Sequence, residues 1–180
     1  MIGFISYLVN GISLGSVYAL IALGYTMVYG IAKMLNFAHG DVIMIGAYVA
    51  FTAVSGMGMP PVVGVLLSVV ACTVLGVLIE RIAYKPLRKA SKLAVLITAI
   101  GVSYFLQNVA LLIYGANTKS FTSVVTIPAL KLMDGKLVIS GETIVTVVAC
   151  LIIMAGLMTF MKYSKSGRAM LAVSEDSGAA

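Results

Sequence analysis

Thirty-two residues pass before this chain carries a charge: from Met1 to Ala32 there is no Lys, Arg, Asp, Glu or His. The apolar run from Phe4 to Ala32 covers 29 residues, about 43 Å as a helix. A bilayer core is about 30 Å thick and asks for about 20 apolar residues. So long a run must tilt, bend or begin with an interfacial piece, and Gly11 and Gly15 are natural places for a bend. Further apolar runs follow over 42–54, 61–79, 93–113 and 143–161. The second ends in the breaker cluster SGMGMPP, and the third opens on Pro61, which suits a first helical position.

Composition points the same way. Hydrophobic residues make up 61% of the 180 positions and charged residues 10%, against about 45–50% and 25% in soluble domains. Too little charge remains to cover a water-facing surface. The expected fold class is all-α, a polytopic membrane protein with about five transmembrane helices. Cys72 and Cys150 lie inside apolar runs, where a thiol behaves as a small hydrophobe. No CxxC, HExxH or phosphate-binding glycine loop is present, so neither metal nor cofactor is expected. The N-terminus lacks the basic region of a secretory signal, so Met1 onward reads as mature membrane sequence.

Twelve basic residues against six acidic give a net charge of +6. The basic residues gather between spans, which the positive-inside rule explains better than nucleic acid does. ERIAYKPLRKASK holds five basic residues against one acidic, and 162–168 is also basic. Both segments are therefore cytoplasmic, and the mixed loop 114–142 is external. Counting back, the second span leaves from inside, KMLNFAHGD lies near the inner face, and the N-terminus faces outward unless the first run is re-entrant.

KMLNFAHGD brings Lys33, Asn36, His39 and Asp41 together within nine residues, and His39 is the only histidine. At an inner interface Lys33 can snorkel and Asp41 can stay wet. Asp41 stands just before an apolar run, where an acid suits a helix start. His39 and Asp41 are two apart and cannot share one helix face. A capped interhelical turn is one reading, and a turn lining or gating the inner mouth of a pathway is the other.

Two spans carry small residues at helical spacing. Gly11, Gly15, Tyr18, Ala22, Tyr25 and Tyr29 line one face of the first; Gly64, Ser68, Cys72 and Gly76 repeat every four residues in the third. Such stripes let membrane helices approach closely; alternatively the hydroxyls of Tyr18, Tyr25 and Tyr29 line a polar pathway. Gln107 and Asn108, towards the outer end of the fourth span, suit interhelical hydrogen bonds or a ligand site. In the outer loop, Thr122 to Ile127 has the pattern of a short surface strand. In the tail SKSGRAMLAVSEDSGAA, Ser166 or Gly167 can begin a short helix. That helix either lies on the membrane or fits a groove in a cytoplasmic partner.

NGISLGSVYALIALGYTMVYGIAKMLNFAHGDVIMIGAY, ERIAYKPLR, LITAIGVSYFLQN and GRAMLAVSED occur in that order. Together they resemble the permease subunits of ABC importers for branched-chain amino acids, over nearly the whole chain. Urea and short-amide permeases share much of the pattern. The resemblance implies two permease subunits, either two copies or paralogues, in the lipid of a bacterial cytoplasmic (inner) membrane. Two ABC ATPases would sit on the cytoplasmic side, and an extracytoplasmic binding protein would deliver substrate. It also implies that Gly167, Arg168, Glu175, Asp176, Ala179 and Ala180 belong to a coupling loop, about 162–180, that presses on an ATPase. Members of the family continue past such a loop, so the expectation is one transmembrane permease domain over 1–180, the N-terminal part of a permease.

The function expected is a transporter subunit with no catalytic residues of its own, passing a zwitterion with an apolar side chain. Tyr18, Tyr25, Tyr29, Asn36, His39, Asp41, Gln107 and Asn108 are the candidate pathway or gate residues. A urea or amide permease is the nearest alternative. An ion-coupled transporter with a His39–Asp41 relay is weighed against the pair's interfacial position, since mid-bilayer acids are costly. A scaffold without transport is a third class. A membrane enzyme has the least support, because no nucleophile–base set or metal-ligand spacing appears.

Overall fold

The computed structural model describes residues 2–33, 35–87, 90–121, 128–132 and 137–175. The expected runs become helices close to their sequence limits: α1 (Ile2–Ala32), α2 (His39–Phe51), α3 (Pro61–Ile79), α4 (Lys92–Tyr114), α5 (Gly141–Tyr163) and α6 (Lys165–Glu175). In lipid a segment must satisfy its own backbone polar groups, so apolar runs of this length fold as helices. Four segments, Gly3–Gly30, Pro61–Leu87, Lys92–Tyr114 and Gly141–Tyr163, are long and apolar enough to cross a membrane. The fifth expected span, α2, has only 13 residues and is extended by a π-helical turn over Thr52–Gly56. The Thr122–Ile127 strand expected in the outer loop lies outside the described residues. That loop does contain two short antiparallel strands, β1 (Leu130–Leu132) and β2 (Leu137–Ile139), with Leu130 opposite Ile139.

The chain divides into two compact units, Met34–Thr122 and Met1–Lys33 with Ser123–Ala180. In the first, α2 and α3 pack through the small residues of α3. The Ser68 hydroxyl donates to the Gly46 carbonyl at 2.8 Å and the Cys72 thiol to the Val42 carbonyl at 3.4 Å. A Cβ on Gly46 would stand 2.6 Å from Cys72 Sγ, and one on Gly64 2.6 Å from Val54 Cγ2. A side chain at either position must displace one of these neighbours. The third helix, α4, is capped by Ser91, whose hydroxyl accepts from the Ala94 N–H, and it buries Val95, Ala99, Leu106 and Ala110.

In the second unit α1 is one uninterrupted helix of 31 residues, through Gly11 and Gly15. Its end is closed by Lys33 in the left-handed region (φ 52°), whose N–H reaches the Tyr29 carbonyl at 2.8 Å. Ser140 caps α5, accepting from the Thr143 N–H, and the buried Cys150 thiol donates to the Ser16 carbonyl of α1 at 3.3 Å. Ser164 then does double duty. It follows the last residue of α5, and its hydroxyl accepts from the Gly167 N–H at 2.8 Å to start α6.

Candidate functional site

The turn into α2 is organised by Asn36. Its Oδ1 accepts from the Ala38 N–H at 3.1 Å and from the Tyr84 hydroxyl at 2.7 Å, and its carbonyl accepts from the His39 N–H. An Asn side chain bonding the backbone two residues on is the ordinary way this residue shapes a turn. Tyr84 holds that turn from a π-helical segment, Glu80–Tyr84, that continues α3. Ala38 is fully buried and His39 half-buried.

Three residues past Ala38, in the first turn of α2, Asp41 is only 8% exposed. Gln107 Nε2 donates to its Oδ1 at 3.0 Å and also reaches Ser103 Oγ at 3.2 Å. Gln107 stands 15 residues beyond Lys92 at the basic end of α4, about 22 Å along the helix axis. On α3, Val42 is level with Cys72, seven residues before Ile79 and so about 10 Å inside the end of that apolar run. Asp41 therefore lies inside the hydrocarbon zone, and the expectation that it stays wet at the inner interface is corrected. Hydropathy had assumed that each span begins at a membrane face, whereas α2 begins part-way across. Non-helical backbone at such depth is tolerated where protein buries it, which is what Ala38 shows.

An acid at this depth costs about 2.5–3.5 kcal/mol on insertion scales. The Gln107 amide offsets part of that, and so does the partial positive charge at the start of α2. The α2–α4 seam continues towards the C-terminal ends of both helices with the same spacing. Seven residues on, Tyr48 stacks on Tyr114 at 4.2 Å between ring centroids, and Thr52 shares a hydrogen bond with the Tyr114 hydroxyl. Alongside, a cavity of about 510 Å³ runs along α2 from Phe51 to Met44 and is flanked by Asn117, Lys119 and Phe121. Its lining is mostly apolar with a few polar groups, as in small-molecule sites of this size.

Of the expected pathway residues, Asn36, His39, Asp41 and Gln107 come together in this unit. Asn108 does not join them: its Nδ2 donates to the Tyr104 carbonyl of its own helix at 2.7 Å. One residue turns the side chain about 100° around a helix, which separates it from Gln107. In the other unit, Tyr18 is 62% exposed, Tyr29 is exposed and Tyr25 half-buried. Tyr84, Ser103 and Tyr114 were not foreseen. The only sequence trace of them is a polar atom in or beside an apolar run, which does not say what faces it.

In the tail, α6 begins at Lys165, close to the expected start, and Gly167 is buried against α5. A Cβ there would collide with the Phe160 carbonyl oxygen and with Met161 Cα. Arg168 and Glu175, seven apart on one helical face, are both exposed. Asp176, Ala179 and Ala180 lie outside the described residues.

A profile of the family described as "Branched-chain amino acid transport system / permease component" matches residues 7–180. The high-affinity branched-chain amino acid transport system permease protein BraD of Pseudomonas aeruginosa is 42% identical over 96% of this chain and 60% of its own length. LivH of Escherichia coli K12, another high-affinity branched-chain amino acid permease protein, is 40% identical over 96% of this chain and 59% of its own. A probable archaeal counterpart from Methanocaldococcus jannaschii is 28% identical over 87% and 50%. The chain thus spans about 60% of the length of the first two relatives. No solved structure matches it.

Proposed function

The chain belongs to the family of branched-chain amino acid transport permease components, and from that premise we propose that it is a membrane-spanning subunit of an ATP-driven importer of branched-chain amino acids. The observation that carries the reading is 42% identity over 96% of the chain to a high-affinity permease of that class. In this reading ATP is hydrolysed on separate ATPase partners in the cytoplasmic membrane. A second permease subunit completes the pathway, and an extracytoplasmic binding protein supplies substrate. The docked helix α6 transmits ATPase closure, with Arg168 and Glu175 presented outward and Gly167 fixing its seat on α5. Their closure shifts the population between inward- and outward-facing states, because the ATPases contact the two states differently.

The test is ATP-dependent leucine uptake by the assembled transport complex in vesicles. Uptake of urea without leucine would move the chain to an amide permease. His39→Ala is expected to lower uptake several-fold at unchanged abundance in the membrane, since the turn sets where α2 begins and so positions Asp41. Equal uptake would leave the turn with a structural role only. The depth of Asp41 favours one second reading, a proton-coupled step. Uptake abolished by a protonophore at constant ATP is the result that would support it.

A further inference from the structure

We infer that Asp41 and Gln107 form the subsite for the amino-group end of the transported molecule, with the apolar cavity along α2 receiving its side chain. The inference rests on the transport reading above and deepens it.

Three observations converge on this site. An acid buried to 8% exposure inside the hydrocarbon zone is costly enough to need a reason beyond helix capping, which a serine supplies for α4 and α5. Its Oδ1 is met by the Gln107 amide, an N–H of the kind that an ammonium group presents. Gln107 itself is exposed, and Ser103 Oγ gives its amide a second acceptor. The amide can therefore swing from Oδ1 to Ser103 without losing every partner, which makes room for a stronger, charged donor.

The third observation is proximity: the lining of the cavity along α2 ends at Met44, short of Asp41 itself. Met44 is the deepest residue of α2 in the cavity and stands three residues from Asp41, about 4.5 Å along the axis. A molecule whose nitrogen reaches Asp41 can lay an apolar chain against Met44, Ala47 and Tyr48. A small amphiphile with an ammonium at one end and a branched hydrocarbon at the other fits both halves.

The assembled complex in vesicles tests this, with leucine uptake and ATP hydrolysis read together. Asp41→Asn is expected to lower leucine uptake tenfold or more while hydrolysis stays within about twofold of the parent. Asp41→Glu restores most of the uptake, because the charge is kept. Gln107→Leu removes the donor that orients the Asp41 carboxylate and is expected to lower leucine uptake about three- to fivefold, again with hydrolysis within about twofold of the parent. In competition, 4-methylpentanoate, which is leucine without its amino group, is expected not to inhibit uptake at concentrations where isoleucine does.

Parent-level leucine uptake by Asp41→Asn overturns the inference, as does equal inhibition by 4-methylpentanoate. If Asp41→Asn fails to reach the membrane, Gln107→Leu and the competition decide: joint loss of uptake and hydrolysis in Gln107→Leu marks a structural bolt and also overturns it. A parent that moves urea and no leucine defeats the transport reading instead. The Asp41→Asn comparison is then made with urea, whose N–H groups demand the same acceptor.

Discussion

Two helices carry the same signature of small residues at every third or fourth position, and the molecule uses them differently. On α3, Gly64, Ser68 and Cys72 are pressed into α2, with a hydroxyl and a thiol each donating to a backbone carbonyl of the neighbour. On α1, a Cβ added to Gly11 or Gly15 would meet nothing within 4 Å among the described residues. The side of α1 that does pack holds Ser16, whose carbonyl takes the Cys150 thiol of α5, and it lies opposite the stripe of Gly15, Tyr18 and Ala22. A small-residue stripe states that close approach is permitted. It does not state that a neighbour is there. The added hydroxyl and thiol on α3 are the better indicator, since each needs a partner inside lipid.

The comparison can be broken by substitution. Gly46→Val is expected to have the largest effect, because its branched side chain must displace Cys72 Sγ and Ser68 Oγ. Overpacking of this kind costs about 1–3 kcal/mol, read as lost abundance and a lower melting temperature in detergent. The same substitution at Gly15 should leave both near the parent values. If Gly15→Val falls as far as Gly46→Val, the two stripes are equally packed.

Ser68→Ala comes next. It removes one interhelical hydrogen bond, which averages about 0.6 kcal/mol in a membrane, and the melting temperature should drop by a small measurable amount. Cys72→Ala removes a weaker thiol donor over 3.4 Å and should fall below the Ser68 effect. The order Ser68 before Cys72 sharpens the view that hydroxyl donors hold this seam. Gly11→Ala is the smallest expected change: it adds a methyl to open space and leaves stability within about 0.5 kcal/mol of the parent, as surface substitutions do, read as a nearly unchanged melting temperature.

Much of the fold was legible from the residues. Pro61 opened α3 at the expected residue, and the limits of α4 and α5 moved by one or two positions. Membership of the permease family, expected from four motifs, is shown by the match over residues 7–180. The candidate site was legible in its members but not in its geometry. Asn36, His39, Asp41 and Gln107 were singled out because polar atoms in an apolar chain need partners. Gln107 and Asn108 looked equivalent in sequence, yet one bonds across to α2 and the other folds back on Tyr104. Asp41 was placed at the wrong depth because hydropathy reports where charge interrupts an apolar run, not how far along its neighbour a helix begins.

The sequence by itself determined that the chain lies in a membrane and which segments become helices. These follow from a one-dimensional fact: runs without charge must hydrogen-bond to themselves in lipid. Only the tertiary structure decided that α2 starts part-way across the membrane, that Asp41 meets Gln107 there, and that one small-residue stripe is packed while the other is open. Each of those is a register between segments far apart in the chain. Register is set by the fit of side chains on facing helices, and no period along a single helix contains it.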